Sequence, residues 1–239
     1  MQYHICDTSE QLAAVAAAKI RDLAMAAIHA SGRFAIALTG GKTPEETYRY
    51  LAAHFAEEDH WAHWAIFVGD DRHVPTDHPM SNFGMGQRLL LDHVTVGQTN
   101  LFPVPTHLPT AAQAAEEYQN TIIRFFQPHP CIFDLILLGV GDDGHTASLF
   151  PGAPALNSTS LVTWSPAGTL PPPIDRITFT FPLINAARHV MILAAGERKK
   201  QVIEDIRDRK KTVAQCPSLG VNPYPGDLLL YVDRAAAAG

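Results

Sequence analysis

The sequence predicts an α/β fold, a largely parallel β-sheet with helices on both faces. Two observations predict it. Segments that read as strands are continuous apolar runs such as "FAIAL" (34–38) and "LILL" (135–138), not alternating patterns, as expected of strands buried on both sides. These runs also alternate with helix-period segments, the pattern of repeated βα units.

The elements can be justified in order. Thr8 and Gln11 suit a capping box, and Leu12, Ala16, Ile20, Leu23 and Ala27 recur at helical spacing until Gly32. "FAIALTGG" is then a buried strand ending in glycines, and Thr43, Pro44 and Glu46 read as N-cap, N1 and N3 of a helix carrying Tyr48, Leu51 and Phe55. "WAIFVGDDR" is the next strand, and "SNFGMGQRLLL" is a helix capped by Ser81. A helix over about 110–127 leads to the strand "IFDLILLGVG". "LVTW", "RITFTF", "HVMILAAG", a helix over about Glu197 to Asp208, and the strand "DLLLYVD" complete the chain. The soft spots expected are the Pro-rich stretch Pro166 to Pro173 and the Ala-rich tail. With no repeat and no low-complexity linker, residues 1–239 read as a single α/β domain.

Composition narrows the partners. The formal net charge of −6 gives no basic field to attract nucleic acid or a membrane surface, so an anion site has to be built locally. Cys6, Cys131 and Cys216 are far apart and odd in number, which speaks against a disulfide framework or a cysteine zinc site. The N-terminal stretch lacks the pattern of a signal peptide, and no apolar run approaches the ~20 residues of a membrane helix. The expected location is cytoplasmic.

Gly139, Gly141 and Gly144 spell G-x-G-x-x-G after a strand, which raises a dinucleotide loop. Asp142 and Asp143 fill its variable positions, where carboxylates repel pyrophosphate. No acidic residue follows before Asp175, and Pro151 stops any helix early. The glycines serve another loop.

Ligands of open parallel sheets sit beyond the carboxyl ends of the strands. The first strand delivers "TGGKTP", whose Gly40, Gly41 and Thr43 suit a phosphate at a helix N-terminus. The same residues suit a tight turn in which Thr43 caps its own helix, with Glu45 and Glu46 already complementing the dipole. The second delivers Asp70, Asp71 and Arg72, either a local ion pair or a set that orients a polyhydroxy or anionic ligand. Nearby His73, Asp77 and His78 match no metal-binding spacing, so no metal is expected. The third delivers His145, two residues after Asp143, in a glycine-turned loop. Most of the twelve histidines are ordinary surface or core residues, but this position suits a general base oriented by a carboxylate. Arg176 and Lys199, at the starts of a strand and a helix, are further cations.

Taken together, "ALTGGKTP", "FVGDDRHVP" with "SNFGM", "LLGVGDDGHTASLFPG" and "RITFTFPLINAARHVMILAAGERK" resemble, in order, the signature segments of the 6-phosphogluconolactonase family. The resemblance runs from about Phe34 to Lys199, and "GHTASLFPG" is its most specific part. Asp71 stands where that family usually has glutamate, Lys42 where serine is common, and Asp142 where proline is frequent; the last two sit at positions that can face solvent. The resemblance implies a Rossmann-like fold of the sugar-phosphate isomerase/deaminase type. It implies hydrolysis of 6-phospho-D-glucono-1,5-lactone to 6-phosphogluconate, the second step of the oxidative pentose phosphate pathway, with no metal or organic cofactor. The expected partner is a small phosphorylated sugar lactone, with no nucleic acid or membrane, and a monomer is expected.

No G-x-S-x-G elbow occurs, so an acyl-serine route has no support. The expected chemistry is direct attack by water, with His145 as base, Asp143 holding the imidazole, and Arg72 or a glycine N–H receiving the oxyanion. Gly40, Gly41, Thr43, Arg176 and Lys199 are expected to hold the phosphate and Asp70 the sugar hydroxyls. The two arginines could exchange roles. The rivals are a glucosamine-6-phosphate deaminase, against which "TASLFPG" and "DDRHVP" count, and a non-catalytic sugar-phosphate sensor with no use for His145.

Overall fold

The computed structural model describes residues 1–167 and 173–237. Part of the Pro-rich stretch (168–172) and the end of the Ala-rich tail (238–239) lie outside the described residues. In chain order the elements are β1 (Gln2–Cys6), α1 (Ser9–Ser31), β2 (Phe34–Leu38), α2 (Lys42–Phe55), β3 (Trp64–Val68), β4 (Asp70–Arg72), α3 (Asn82–Leu89) and α4 (Ala111–Phe126). They continue as β5 (Leu135–Gly139), β6 (Val162–Ser165), β7 (Arg176–Phe179), α5 (Phe181–Ile184), β8 (His189–Ala194), α6 (Lys200–Asp208) and β9 (Asp227–Asp233), with short 3₁₀ turns between.

Six strands form one sheet in the order β1-β9-β8-β5-β2-β3, and every neighbouring pair is parallel. The parallel sheet is as expected. Its edge strand β1 is not announced by "QYHIC", which pairs with β9 from Gln2↔Leu229 to Cys6↔Asp233. A second sheet, β4-β7-β6, is antiparallel; "LVTW" and "RITFTF" supply two of its strands, but their pairing apart from the main sheet has no signal in the sequence. "WAIFVGDDR" is therefore two strands. Gly69 is the junction: its N–H donates to Leu38 O in the first sheet (2.8 Å), and its carbonyl accepts from Phe179 N–H in the second (2.7 Å).

The helices follow the expected local chemistry with one correction. Thr8 caps α1 by accepting from Gln11 N–H (3.2 Å), and α1 ends at Gly32, whose φ of 77° suits glycine. Ser81 caps α3 and Thr110 caps α4 in the same way. Thr43 does not cap α2. The helix starts at Lys42, its N-cap is Gly41 at φ 108°, and no side chain there accepts from the first turn.

One hydrophobic cluster spans the strands and the buried faces of the helices. Phe67 contacts Phe102, Phe125 and Phe133 at centroid distances of 4.4–5.1 Å; the fully buried rings Phe67 and Phe133 are each worth about 1.5–3 kcal/mol, and the partly buried Phe102 and Phe125 less. Two buried tyrosines finish the strands at their carboxyl ends. Tyr48 accepts from Thr39 N–H and donates to Thr39 O, both at 2.9 Å. Tyr118 does the same at Val68, at 2.9 and 3.1 Å. Each supplies hydrogen bonds the ladder no longer offers, so the loops that follow leave from fixed points. Among the described residues, no helix is long and apolar enough to cross a membrane.

Candidate active site

A cleft of about 610 Å³ opens beyond the carboxyl ends of β8, β5, β2 and β3, where a parallel sheet places its ligands. It is lined by the β2 loop (39–44), Asp70, Arg72, Asn82, the β5 loop with Asp142 and His145, and the β8 loop (195–199). Seven residues expected from the sequence therefore meet at one place: Gly40, Gly41, Thr43, Asp70, Arg72, His145 and Lys199. Asp143 and Arg176 do not line the cleft; each stands behind a residue that does.

The β5 loop is shaped around His145. Asp143 Oδ1 lies 2.6 Å from His145 Nδ1 and also accepts the His145 backbone N–H at 3.1 Å. A carboxylate only accepts, so in the neutral ring Nδ1 carries the proton and Nε2 has the lone pair. This contact is the main reason the Asp143 carboxyl is pulled down to about 2. The glycines make the geometry possible. A Cβ at Gly141 would lie 2.1 Å from His145 Nδ1 and 2.5 Å from Asp143 Oδ1. Gly144 has φ 87°, and a Cβ there would lie 2.7 Å from Cys216 Sγ. Ser218 backs the turn, donating to Gly144 O from both its N–H (2.9 Å) and its hydroxyl (2.8 Å). Ala147, on the cleft wall, sits at φ 48°, which costs a residue with a Cβ about 1–2 kcal/mol.

The acidic pair of the second loop divides its work. Asp70 is buried and accepts from Ser148 Oγ at 2.7 Å while reaching the cleft. Asp71 is buried at the start of α3, where Ser81 Oγ, Asn82 N–H, Phe83 N–H and Arg72 N–H donate to it at 2.7–3.1 Å. Burial is the largest influence and raises its carboxyl to about 6, against the hydrogen bonds, which lower it. Asp71 is thus an anchor, which the sequence reading left open. It also fixes Asn82, whose amide donates to Asp70 O (2.8 Å) and which packs so closely on Gly40 that a Cβ there would lie 2.1 Å from Asn82 Oδ1.

Arg72 and Arg176 face each other in register across β4 and β7. Arg72 donates to Met80 O at 2.8 Å, while Arg176 Nε is buried with no hydrogen-bond partner. Among the described residues neither guanidinium forms a salt bridge. Burial, then the nearby Arg72 charge, make the Arg176 proton easier to lose than usual, with Asp70 opposing. Two neighbouring guanidiniums that form no salt bridge, with Asp70 as the carboxylate nearby, present a field for an anion. Phe150 links the parts: its ring lies 4.8 Å from the His145 ring and 5.2 Å beneath the Arg176 guanidinium.

On the opposite wall the N-terminus of α2 lacks a side-chain cap; Glu45 N–H bonds Gly41 O (3.1 Å) and Pro44 has no N–H, which leaves the N–H groups of Lys42 and Thr43 for a ligand. The β8 loop brings Lys199, which is not free: its Nζ lies 2.6 Å from Asp142 Oδ1. The loop is held by Asp233 at the end of β9, whose carboxylate accepts Gly196 N–H at 3.0 and 3.1 Å. After Arg72, His73 Nε2 meets Leu108 O at 3.0 Å, and His78 Nδ1 accepts Met80 N–H at 3.1 Å. Asn82, Asp142, Ser148, Phe150 and Ser218 were missed as site residues. Of these, only Ser218 lies outside the segments quoted above.

Residues 7–230 match the family model described as glucosamine-6-phosphate isomerases/6-phosphogluconolactonase. A 6-phosphogluconolactonase of Synechocystis sp. is 41% identical over 214 residues, covering 88% of this chain and 86% of that protein. The solved 6-phosphogluconolactonase from Trypanosoma cruzi superposes with a TM-score of 0.87 at 28% identity, over 98% of this chain and 95% of that one. A monomeric glucosamine-6-phosphate deaminase superposes with a TM-score of 0.83 at 19% identity, over 99% of this chain and 98% of that one, a likeness of fold alone.

Proposed function

This chain belongs to the glucosamine-6-phosphate isomerase/6-phosphogluconolactonase family, and on that premise we propose that it hydrolyses 6-phospho-D-glucono-1,5-lactone to 6-phosphogluconate in the pentose phosphate pathway. The observation that carries the reading is the His145–Asp143 contact of 2.6 Å at a cleft flanked by cations and a free helix N-terminus.

A lactone is an activated ester, so water suffices as nucleophile. His145 Nε2 takes a proton from that water as its oxygen bonds to the lactone carbonyl carbon, a contribution of about 10²–10⁴-fold. Asp143 holds the imidazole and stabilises its cationic form. The carbonyl oxygen becomes an oxyanion facing Arg72, which lines the cleft; Arg176, behind it, adds charge without contact. Collapse breaks the bond to the ring oxygen, which takes the proton from His145. The product acid then ionises.

The phosphate is held by the Gly40–Gly41–Thr43 turn at the start of α2 and by Lys199; Arg176, expected there from the sequence, does not line the cleft and adds only charge from a distance. Asp70, oriented by Ser148, accepts from sugar hydroxyls. Holding both ends places the ester near the base, so remote binding energy lowers the barrier. The deaminase-like fold does not discriminate; the continuation "TASLFPG" after the histidine, "DDRHVP" and the 6-phosphogluconolactonases among the relatives support the lactonase reading. The test follows freshly generated lactone at neutral pH with and without protein, and glucosamine 6-phosphate in parallel. An excess over spontaneous hydrolysis proportional to protein supports the reading. Release of ammonia from glucosamine 6-phosphate, with no such excess, would assign the rival.

A further inference from the structure

Asp142 follows Gly141 and precedes Asp143, yet its carboxylate serves a different partner set. Oδ1 lies 2.6 Å from Lys199 Nζ and Oδ2 lies 2.6 Å from an Arg198 guanidinium nitrogen. One carboxylate thus occupies both cations that the β8 loop brings to the cleft. Those contacts, with Lys199 first, hold the Asp142 carboxyl below its ordinary range, so it is charged at neutral pH. Both walls of the contact are anchored, one by Asp233 on Gly196 and the other by Ser218 on Gly144. The uncapped start of α2 lines the same cleft.

We propose that Asp142 is an internal counter-ion of the phosphate subsite: it holds Arg198 and Lys199 while the site is empty and is displaced from them by the substrate phosphate. This rests on the assignment of Lys199 to phosphate made above. Each binding event then exchanges a carboxylate partner for a phosphate partner, so part of the attraction is spent on separating the existing pair. The product carries the same phosphate, and Asp142 reclaims the cations as it leaves. Affinity for both is held down, and Asp142 takes no part in the bond changes.

The sign of the effect separates this role from a structural one. A residue that merely positions Lys199 would, when removed, weaken phosphate binding. An internal counter-ion would, when removed, strengthen it. The side chains of Asp142 and Lys199 are 38% and 25% exposed, so solvent screening limits the gain to about three- to fivefold.

The experiment compares wild type with Asp142→Asn, which keeps the shape, and Asp142→Ala, which removes both oxygens. Inorganic phosphate is titrated calorimetrically, and kcat and KM are measured for the phosphorylated lactone and for unphosphorylated glucono-1,5-lactone. The expected result is a three- to fivefold lower phosphate Kd and a lower KM for the phosphorylated lactone only. Unchanged or weaker phosphate binding in both folded variants overturns the counter-ion. Absence of lactone hydrolysis by wild type would overturn the proposed function instead, and the phosphate titration would still decide the role of Asp142.

Discussion

A carboxylate 2.6 Å from an imidazole nitrogen decides which ring nitrogen holds the proton, and so which can take one from water. Gly141 protects that contact. Gly141→Ala puts a methyl into the space shared by His145 Nδ1 and Asp143 Oδ1, so kcat should fall by about tenfold or more with little change in KM, as steady-state kinetics would read. Normal kcat in that variant would mean that the pair does not set the rate. Arg72 and Lys199 separate in the same way. Arg72→Ala should lower kcat for phosphorylated and unphosphorylated lactones alike, because an oxyanion forms on both. Lys199→Ala should raise KM only for the phosphorylated one. Loss confined to the phosphorylated lactone in Arg72→Ala would move that residue to the phosphate.

At the scale of elements, Asp71 joins β4 to the start of α3 and thereby sets Asn82 against Gly40. Its folded-state value of about 6 lies above the ordinary 3.8, so the folded chain binds this proton more tightly than the unfolded one. Through this group, stability rises as pH falls from about 6 towards 4, and ionisation above 6 costs up to about 3 kcal/mol. Asp71→Asn cannot titrate and loses an acceptor oxygen among N–H donors, a cost of about 1–3 kcal/mol. Urea unfolding should therefore show a larger stability gap between wild type and Asp71→Asn at pH 5 than at pH 7.5. An equal gap would mean that Asp71 does not titrate in that window. Much of this level was legible in the sequence: the apolar runs, the Thr8 and Ser81 caps and the glycine turn before His145 all lie in local pattern. The α2 cap was misread because Thr43 has the right chemistry for a cap, while the observed start depends on Gly41 adopting φ 108°. β4 was fused to β3 because Gly69 changes sheets through a partner, Phe179, that is distant in sequence.

At the scale of the molecule, the parallel sheet supplies a line of strand ends and the small antiparallel sheet supplies the arginine pair. Local pattern reveals the first and not the second. Arg72 and Arg176 meet only because β4 pairs with β7, and Ser148 reaches Asp70 across 78 residues of sequence. His145, Asp70, Arg72 and the α2 turn could be nominated one loop at a time, whereas their supports Asn82, Ser148 and Phe150 are set by tertiary contacts. A cleft that joins loops from both sheets should also report its ligand globally. Saturation with 6-phosphogluconate at about 100 times its Kd should add about 2.7 kcal/mol and raise Tm by about 5 °C or more, measured calorimetrically. No shift at saturation would mean that the product does not bind the folded form. The most direct test of the central claim is the steady-state kinetics of His145→Ala on 6-phosphogluconolactone, corrected for spontaneous hydrolysis. A folded variant that binds 6-phosphogluconate normally and loses kcat by about 10²-fold or more is the predicted result. Wild-type kcat in that variant would contradict it.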